Sequence, residues 1–342
     1  MNKTLLLALA LTALTATTAN ARSWRINNDE TKMAQFTSIN AAMSSTDVVA
    51  GDTLYLDPGC SLTAEQTVSK RVTIIGTGYT GVSLPHRGAY ISGKLYLNAA
   101  NTKLLSLNIT GTVYIRNNNI TIERCRCSSG IVHNYNSSSY TSQYTTIRDC
   151  YVTTMASNGT TSTNSAFWTI ENNIISSENT CISGLYNATI RNNLILNTYI
   201  SNISSYHQSR NCLSNLTNCQ IVNNIILKTA SSYRNYTLSG VDATQLNNNV
   251  ISSNTRPDFN KANVTATDSV YTGDVQSYVL TDDSPARGYG QDGTDCGIFG
   301  GLYPYVKGGL AYGHPYYESF VISSMPVDGK INVSLKVKMQ DE

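Results

Sequence analysis

The chain predicts an all-β solenoid of stacked coils, and three observations carry the prediction. Short aliphatic segments recur through its middle, each broken by an Asn-containing bend. Those segments are rich in β-branched residues and too brief for helical repeats. Charge is scarce: 24 Lys and Arg against 22 Asp and Glu leave a net charge of +2 over 342 residues, and 13% of positions are charged, about half the usual share. So even a balance argues against a nucleic-acid binder, a coiled coil and a charged disordered tail. With 41% of residues hydrophobic, the chain can fill a core, while Gly, Asn, Ser and Thr give a neutral exterior rich in hydroxyls and amides.

Residues 1–21 predict a secretory signal. Lys3 precedes an apolar run from Leu5 to Leu14, and Ala19, Asn20 and Ala21 form a small-residue cleavage pattern. The run is too short to span a bilayer and no second candidate follows. The expectation is therefore export, to the periplasm, the outer surface or the medium, with no transmembrane segment. Residues 22–50 predict an N-terminal strand and a capping helix. Phe36, Ile39, Ala42 and Met43 recur there at helical spacing, and a solenoid needs such a cover over its open first coil.

The coils are expected over residues 51–314. Their clearest copies start at Ile170, Ile190, Ile221 and Leu246, as in Ile170-Glu171-Asn172-Asn173-Ile174-Ile175, and degenerate copies start at Ile122 and Ile147. The interval varies from 20 to 31 residues, which suits coils with a fixed core and variable loops. Each copy reads as two short strands around a tight bend, since Asn tolerates left-handed backbone. Stacked about 4.8 Å apart, the coils turn each column of the alignment into a ladder. Ile147, Ile170, Ile190, Ile221 and Leu246 form one inward column, and Val152, Ile175, Ile195, Ile226 and Ile251 another. Glu123, Arg148, Glu171 and Arg191 form an outward column of alternating sign, read as a salt-bridge ladder. Cys125, Cys150, Asn173, Asn193, Asn224 and Asn249 stack at the bend, where amides can hydrogen-bond along the axis.

That last column resembles the asparagine ladder of right-handed parallel β-helix proteins, the pectate-lyase-like superfamily. Gly51 to Gly59 and Val72 to Gly76 look like the first coils of such proteins, and Ser284 to Gly288 with Asp295 to Gly300 looks like their final coil. The resemblance implies a right-handed parallel β-helix and says much less about activity. Lyases of that superfamily typically use a calcium-supported or neutralised uronate, a Lys or Arg base and a basic cleft on one sheet face. Its hydrolases use grouped aspartates with a Gly-His and an Arg-x-Lys. Neither set is present: Asp282-Asp283 reads as a turn, and Gly313-His314 lies beyond the repeats. Residues 315–342 predict a hairpin, with Ile331, Val333, Leu335, Val337 and Met339 alternating with polar residues after the turn signal Asp328-Gly329. This tail is similar to those of exported β-helix proteins of Bacteroidetes and reads as a cap or a sorting signal.

All eight cysteines, at 60, 125, 127, 150, 181, 212, 219 and 296, follow the signal. An even count in an exported chain permits disulfides, and no repeated C-x-x-C spacing suggests zinc. Cys125 and Cys150 are expected as stacked, buried free thiols, because parallel Cβ vectors disfavour a bond between them. No cofactor is expected; calcium at Asp292 and Asp295 ranks below simple turn hydrogen bonding.

The strand and loop preceding each bend motif carry the candidate chemistry: Tyr114, Arg116, His133, Tyr140, Tyr199, His207, Arg210, Tyr233 and Arg234. Aromatic faces with amide and guanidinium donors suit saccharide rings and their carboxylates. With 22 tyrosines in the chain, ring stacking without a ligand is the competing account. The partner expected is a polysaccharide or cell-surface glycan, met by a monomer acting as a non-catalytic glycan-binding or adhesin-like solenoid. A polysaccharide lyase or glycoside hydrolase is the alternative, resting on the resemblance, with His133, His207 and Arg210 as base and neutralising groups. A purely structural surface role needs no site.

Overall fold

A computed structural model describes residues 21–79, 88–133, 140–157, 163–198, 210–228, 238–252, 264–266, 278–305, 308–309, 315–322, 330 and 333–339. Each coil visits three sheets in turn. In one complete coil these strands are Thr146–Arg148, Tyr151–Val152 and Met155–Ser157. All pairings in these sheets are parallel between successive coils, giving sheets of 10, 10 and 8 strands among the described residues. The chain is a right-handed parallel β-helix, the hand that twisted strands favour for parallel crossovers.

The repeat columns hold as register. Ile122, Ile147, Ile170, Ile190, Ile221 and Leu246 are direct partners in the first sheet, and Val152, Ile175, Ile195, Ile226 and Ile251 are partners in the second. All are buried, because a period of two sends every second side chain inward. At the bend between these sheets, Cys125 N–H donates to Cys150 Sγ at 3.4 Å and Cys150 N–H to Asn173 Oδ1 at 2.9 Å. Asn173, Asn193 and Asn224 continue the series, each N–H donating to the next Asn Oδ1 at 2.8 to 2.9 Å. The residue before each ladder position takes the left-handed conformation: Arg124, Asp149, Asn172, Asn192, Asn223 and Asn248 have φ between 48° and 57°.

The N-terminal cap is shorter than the sequence suggests. Its helix spans Ile39–Ser44, with Ile39, Ala42 and Met43 buried and the Ser38 side chain accepting from Ala41 N–H at 3.0 Å. Phe36 lies before the helix, bridges Ile26 and packs on Trp24 at 5.5 Å. Asn40 covers the open edge of the third sheet: Thr67 N–H donates to its Oδ1 and its Nδ2 donates to Glu65 O, both at 2.8 Å. One side chain thus stands where a neighbouring strand would.

Residues 278–305 depart from the expected final coil. They run back along the outside of the solenoid as a strap over the bend. Asn248 Nδ2 donates to Tyr289 O at 2.8 Å, Gln291 N–H to Asn223 Oδ1 at 2.8 Å, and Asn172 Nδ2 to Gly300 O at 2.8 Å. Rising residue number therefore meets earlier coils, ending with the Tyr305 hydroxyl against that of Tyr79. Beneath the strap, Ile174, Leu194, Ile225 and Val250 point outward and pack with Leu280, Ala286, Cys296 and Ile298 in a second apolar cluster. Contact is so close that a Cβ on Gly297, at φ 86°, would meet Ile225 Cδ1 at 2.7 Å.

The strap also changes the charge column. Arg148 bonds Glu123 at 2.9 Å and approaches Glu171 at 3.6 Å, and Arg191 Nε donates to Glu171 at 2.7 Å. Tyr303 stacks on the Arg148 guanidinium at 4.1 Å, and the Glu171 side chain keeps 5% of its exposure. The ladder is outward from the core, yet Glu123, Arg148 and Glu171 are largely shielded from water, while Arg191 at its end stays exposed. At the C-terminus, Pro315–Ile322 and Val333–Met339 form the antiparallel hairpin; Asp328 and Gly329 lie outside the described residues. Among the described residues no helix is long and apolar enough to cross a membrane.

Candidate functional site

The outer face of the third sheet is set by the same alternation. Leu95 and Leu97 point inward and Tyr96 outward, and Val113, Tyr114 and Ile115 repeat this one coil later. From Thr67 the outward column continues through Tyr96, Tyr114, Val132 and Ala156 to serines at 183, 214 and 239. Aromatic character is confined to the early coils.

Tyr96 and Tyr114 stack with centroids 5.0 Å apart and planes 18° from parallel. Arg116, just past the strand, lays its guanidinium 4.0 Å from the Tyr96 ring centroid and 4.9 Å from that of Tyr140. Its backbone N–H donates to Leu97 O at 3.1 Å, which fixes the base of the side chain. Lys94 stands nearby, 3.3 Å from Glu65, and the hydrogen bond to that carboxylate holds its ammonium above the usual lysine range. The result is a cationic, aromatic spot on a neutral face. Stacked flat, a guanidinium still presents in-plane N–H donors, the geometry that carboxylates and hydroxyls accept.

Tyr114, Arg116 and Tyr140 are thus brought together. His133 is not with them. Ile131 and His133 share a face, so His133 points into the core, 2% exposed, in the column of Ile115 and Ser157. Burial lowers its pKa, and from the core side His133 serves neither as a glycan contact nor as a base on the outer face. Arg210 precedes its third-sheet strand Leu213–Ser214 and reaches Glu178 O at 3.5 Å. It lies four coils from Arg116, about 19 Å along the axis at one strand spacing per coil, and before its strand where Arg116 follows its own. Tyr199, His207, Tyr233 and Arg234 lie outside the described residues. Tyr96 and Lys94 are additions; aligning Leu95-Tyr96-Leu97 with Val113-Tyr114-Ile115 was the available signal.

No family model matches the chain, and no curated protein matches it. Among solved structures it is similar to pectate lyase Pel9A, with a TM-score of 0.44 and 14% identity over 81% of this chain and 95% of that one.

Two grooves also mark the described surface. One, of about 360 Å³, lies at the turn between the second and third sheets and is lined by hydroxyls including Ser128, Thr153 and Ser176. The other, of about 270 Å³, lies between the strap and the charge column, against Glu171, Arg191 and Asp292. Asp292 Oδ1 accepts from Thr294 N–H and hydroxyl, and Asp295 Oδ1 from Gly288 N–H, so both carboxylates serve turns. Among the described residues no three His, Cys, Asp or Glu side chains converge as metal ligands do.

Proposed function

We propose that this protein is exported and contacts extracellular polysaccharide as a glycan-binding solenoid, holding an acidic glycan on the outer face of the third sheet. The observation that carries this reading is the Arg116 guanidinium laid on Tyr96 and Tyr140 beside the Tyr96–Tyr114 stack. Ring faces suit the C–H faces of sugars, and the arginine supplies donors for a uronate carboxylate. Holding the side chain in place beforehand reduces the ordering cost of binding. Affinity electrophoresis through gels containing polygalacturonate or alginate tests it. The wild type should be retarded, and Arg116→Ala should weaken binding about tenfold, the size of one charge-assisted hydrogen bond, with an unchanged melting temperature. Free migration of the wild type in both gels would overturn the reading, and release of unsaturated uronate products would assign a lyase in its place.

A further inference from the structure

A second left-handed column runs along the turn between the third and first sheets. Asn101, Asn119, Tyr144, Phe167, Asn187 and Asn218 have φ of 58°, 58°, 57°, 60°, 51° and 53°. Each stands two residues before a first-sheet strand. Asn tolerates this conformation because its short amide bonds locally; a bulky side chain is strained there. Tyr144 and Phe167 gain no backbone bond in return. Their N–H groups donate to the next coil, at 3.1 Å to Ala166 O and 3.0 Å to Tyr186 O, just as Asn187 N–H donates at 3.0 Å to Thr217 O.

Both rings are also in the wrong place for core residues. Tyr144 is 55% and Phe167 41% exposed, and the rings stack on each other with centroids 5.0 Å apart and planes 7° from parallel. Strain retained at an exposed position that four other coils fill with Asn points to a use for the rings. We propose that Tyr144 and Phe167 form a platform for sugar rings of a neutral polysaccharide, independent of the arginine site. The column itself selects the ligand. It is uncharged, with amides at Asn119 and Asn187 on the coils either side, so it offers hydrogen bonds to hydroxyls and no partner for a carboxylate. The inner faces of the pair cover each other, so a sugar ring stacks on the free outer face of Tyr144 or of Phe167, one coil rise of about 4.8 Å along the axis, where the flanking amide of Asn119 or Asn187 lies beneath it.

The probes are soluble galactomannan and hydroxyethyl cellulose in affinity electrophoresis of the full chain. Wild-type protein should be retarded by at least one of them. Tyr144→Asn with Phe167→Asn should lower affinity at least tenfold while the melting temperature stays level or rises, since the column then matches its neighbours. Phe167→Trp, which keeps an aromatic face, should retain binding, and Arg116→Ala should leave it unchanged. An unretarded wild type, or undiminished binding by the double Asn variant, overturns the proposal. So does a melting temperature several degrees lower with binding intact, which marks the pair as a structural clasp. A wild-type dimer in sedimentation that the double variant abolishes also overturns it, by making the rings a contact between two copies.

Discussion

Asp149 shows how much one residue in a repeat column can differ from its counterparts. It holds the left-handed bend position that Asn172, Asn192, Asn223 and Asn248 hold later, yet it is a carboxylate with no exposed surface. Neither oxygen has a hydrogen-bond partner among the described residues, and Arg124 Nε is 3.8 Å away. Burial pushes its pKa up to about 8 against the pull of Arg124, with Glu123 and Glu171 adding to the rise and Arg148 opposing it. In the unfolded chain the group titrates at about 3.9. Between those values the folded protein keeps a proton that the unfolded chain has released, so stability falls as pH rises through the window, by about 1.4 kcal/mol per pH unit for one proton. Asp149→Asn, neutral throughout, should flatten that slope and be more stable than wild type at the alkaline end. Urea denaturation at the acid and alkaline ends of the window measures it. Equal slopes in both proteins would show that Asp149 stays ionised and paired with Arg124.

The strap is the element that most alters the surface. An isolated solenoid would leave Ile174, Leu194, Ile225 and Val250 facing water, and residues 278–305 cover them with Leu280, Ala286, Cys296 and Ile298. The first Asn of three of the pairs, Asn172, Asn223 and Asn248, takes part in the same contact, since its backbone makes the bend and its side chain bonds the strap. Ile298, 2% exposed, anchors the middle. Ile298→Asp should release the strap, costing about 2–4 kcal/mol, with faster proteolysis within residues 278–305 and far-ultraviolet circular dichroism preserved. Leu302→Asp is the control: that side chain is 83% exposed, and its replacement should change neither. Resistance of the Ile298 variant to cleavage would mean the polar bonds alone hold the segment.

Across the whole molecule the thiols behave as small core residues. All eight cysteines are buried and unpaired, including Cys125 and Cys150, which continue the asparagine ladder through sulfur. Burial pushes up the thiols of Cys60, Cys127, Cys150 and Cys181, and takes Cys219 to about 11 and Cys212 and Cys296 to about 12, so thiolate is scarce among them at neutral pH and reaction slow. A thiol reagent should find no reactive group in native protein and all eight in denaturant, and a reductant should leave the melting temperature unchanged. A linked cysteine peptide in mass spectra of non-reduced digests would refute this. Stability then rests on stacking between neighbouring coils rather than on covalent staples.

The coil core was legible in the sequence because its determinants are local. Alternation chooses which side chains face inward, and stacking of equivalent residues aligns Ile147 with Ile170 and Asn173 with Asn193. His133 was equally legible, since its separation from Ile131 by two places it inside. Tertiary structure alone decided the strap, the shielding of the charge column and the isolation of Arg210 from Arg116. The strap is held by bonds such as Asn172 to Ile298 and Gly300, 126 and 128 residues apart, and contacts of that range leave no periodic trace in a chain. The strained pair Tyr144 and Phe167 belongs to both levels: the sequence supplies two aromatics where neighbouring coils carry Asn, but only the backbone angle and the exposure reveal that they share one column on the surface.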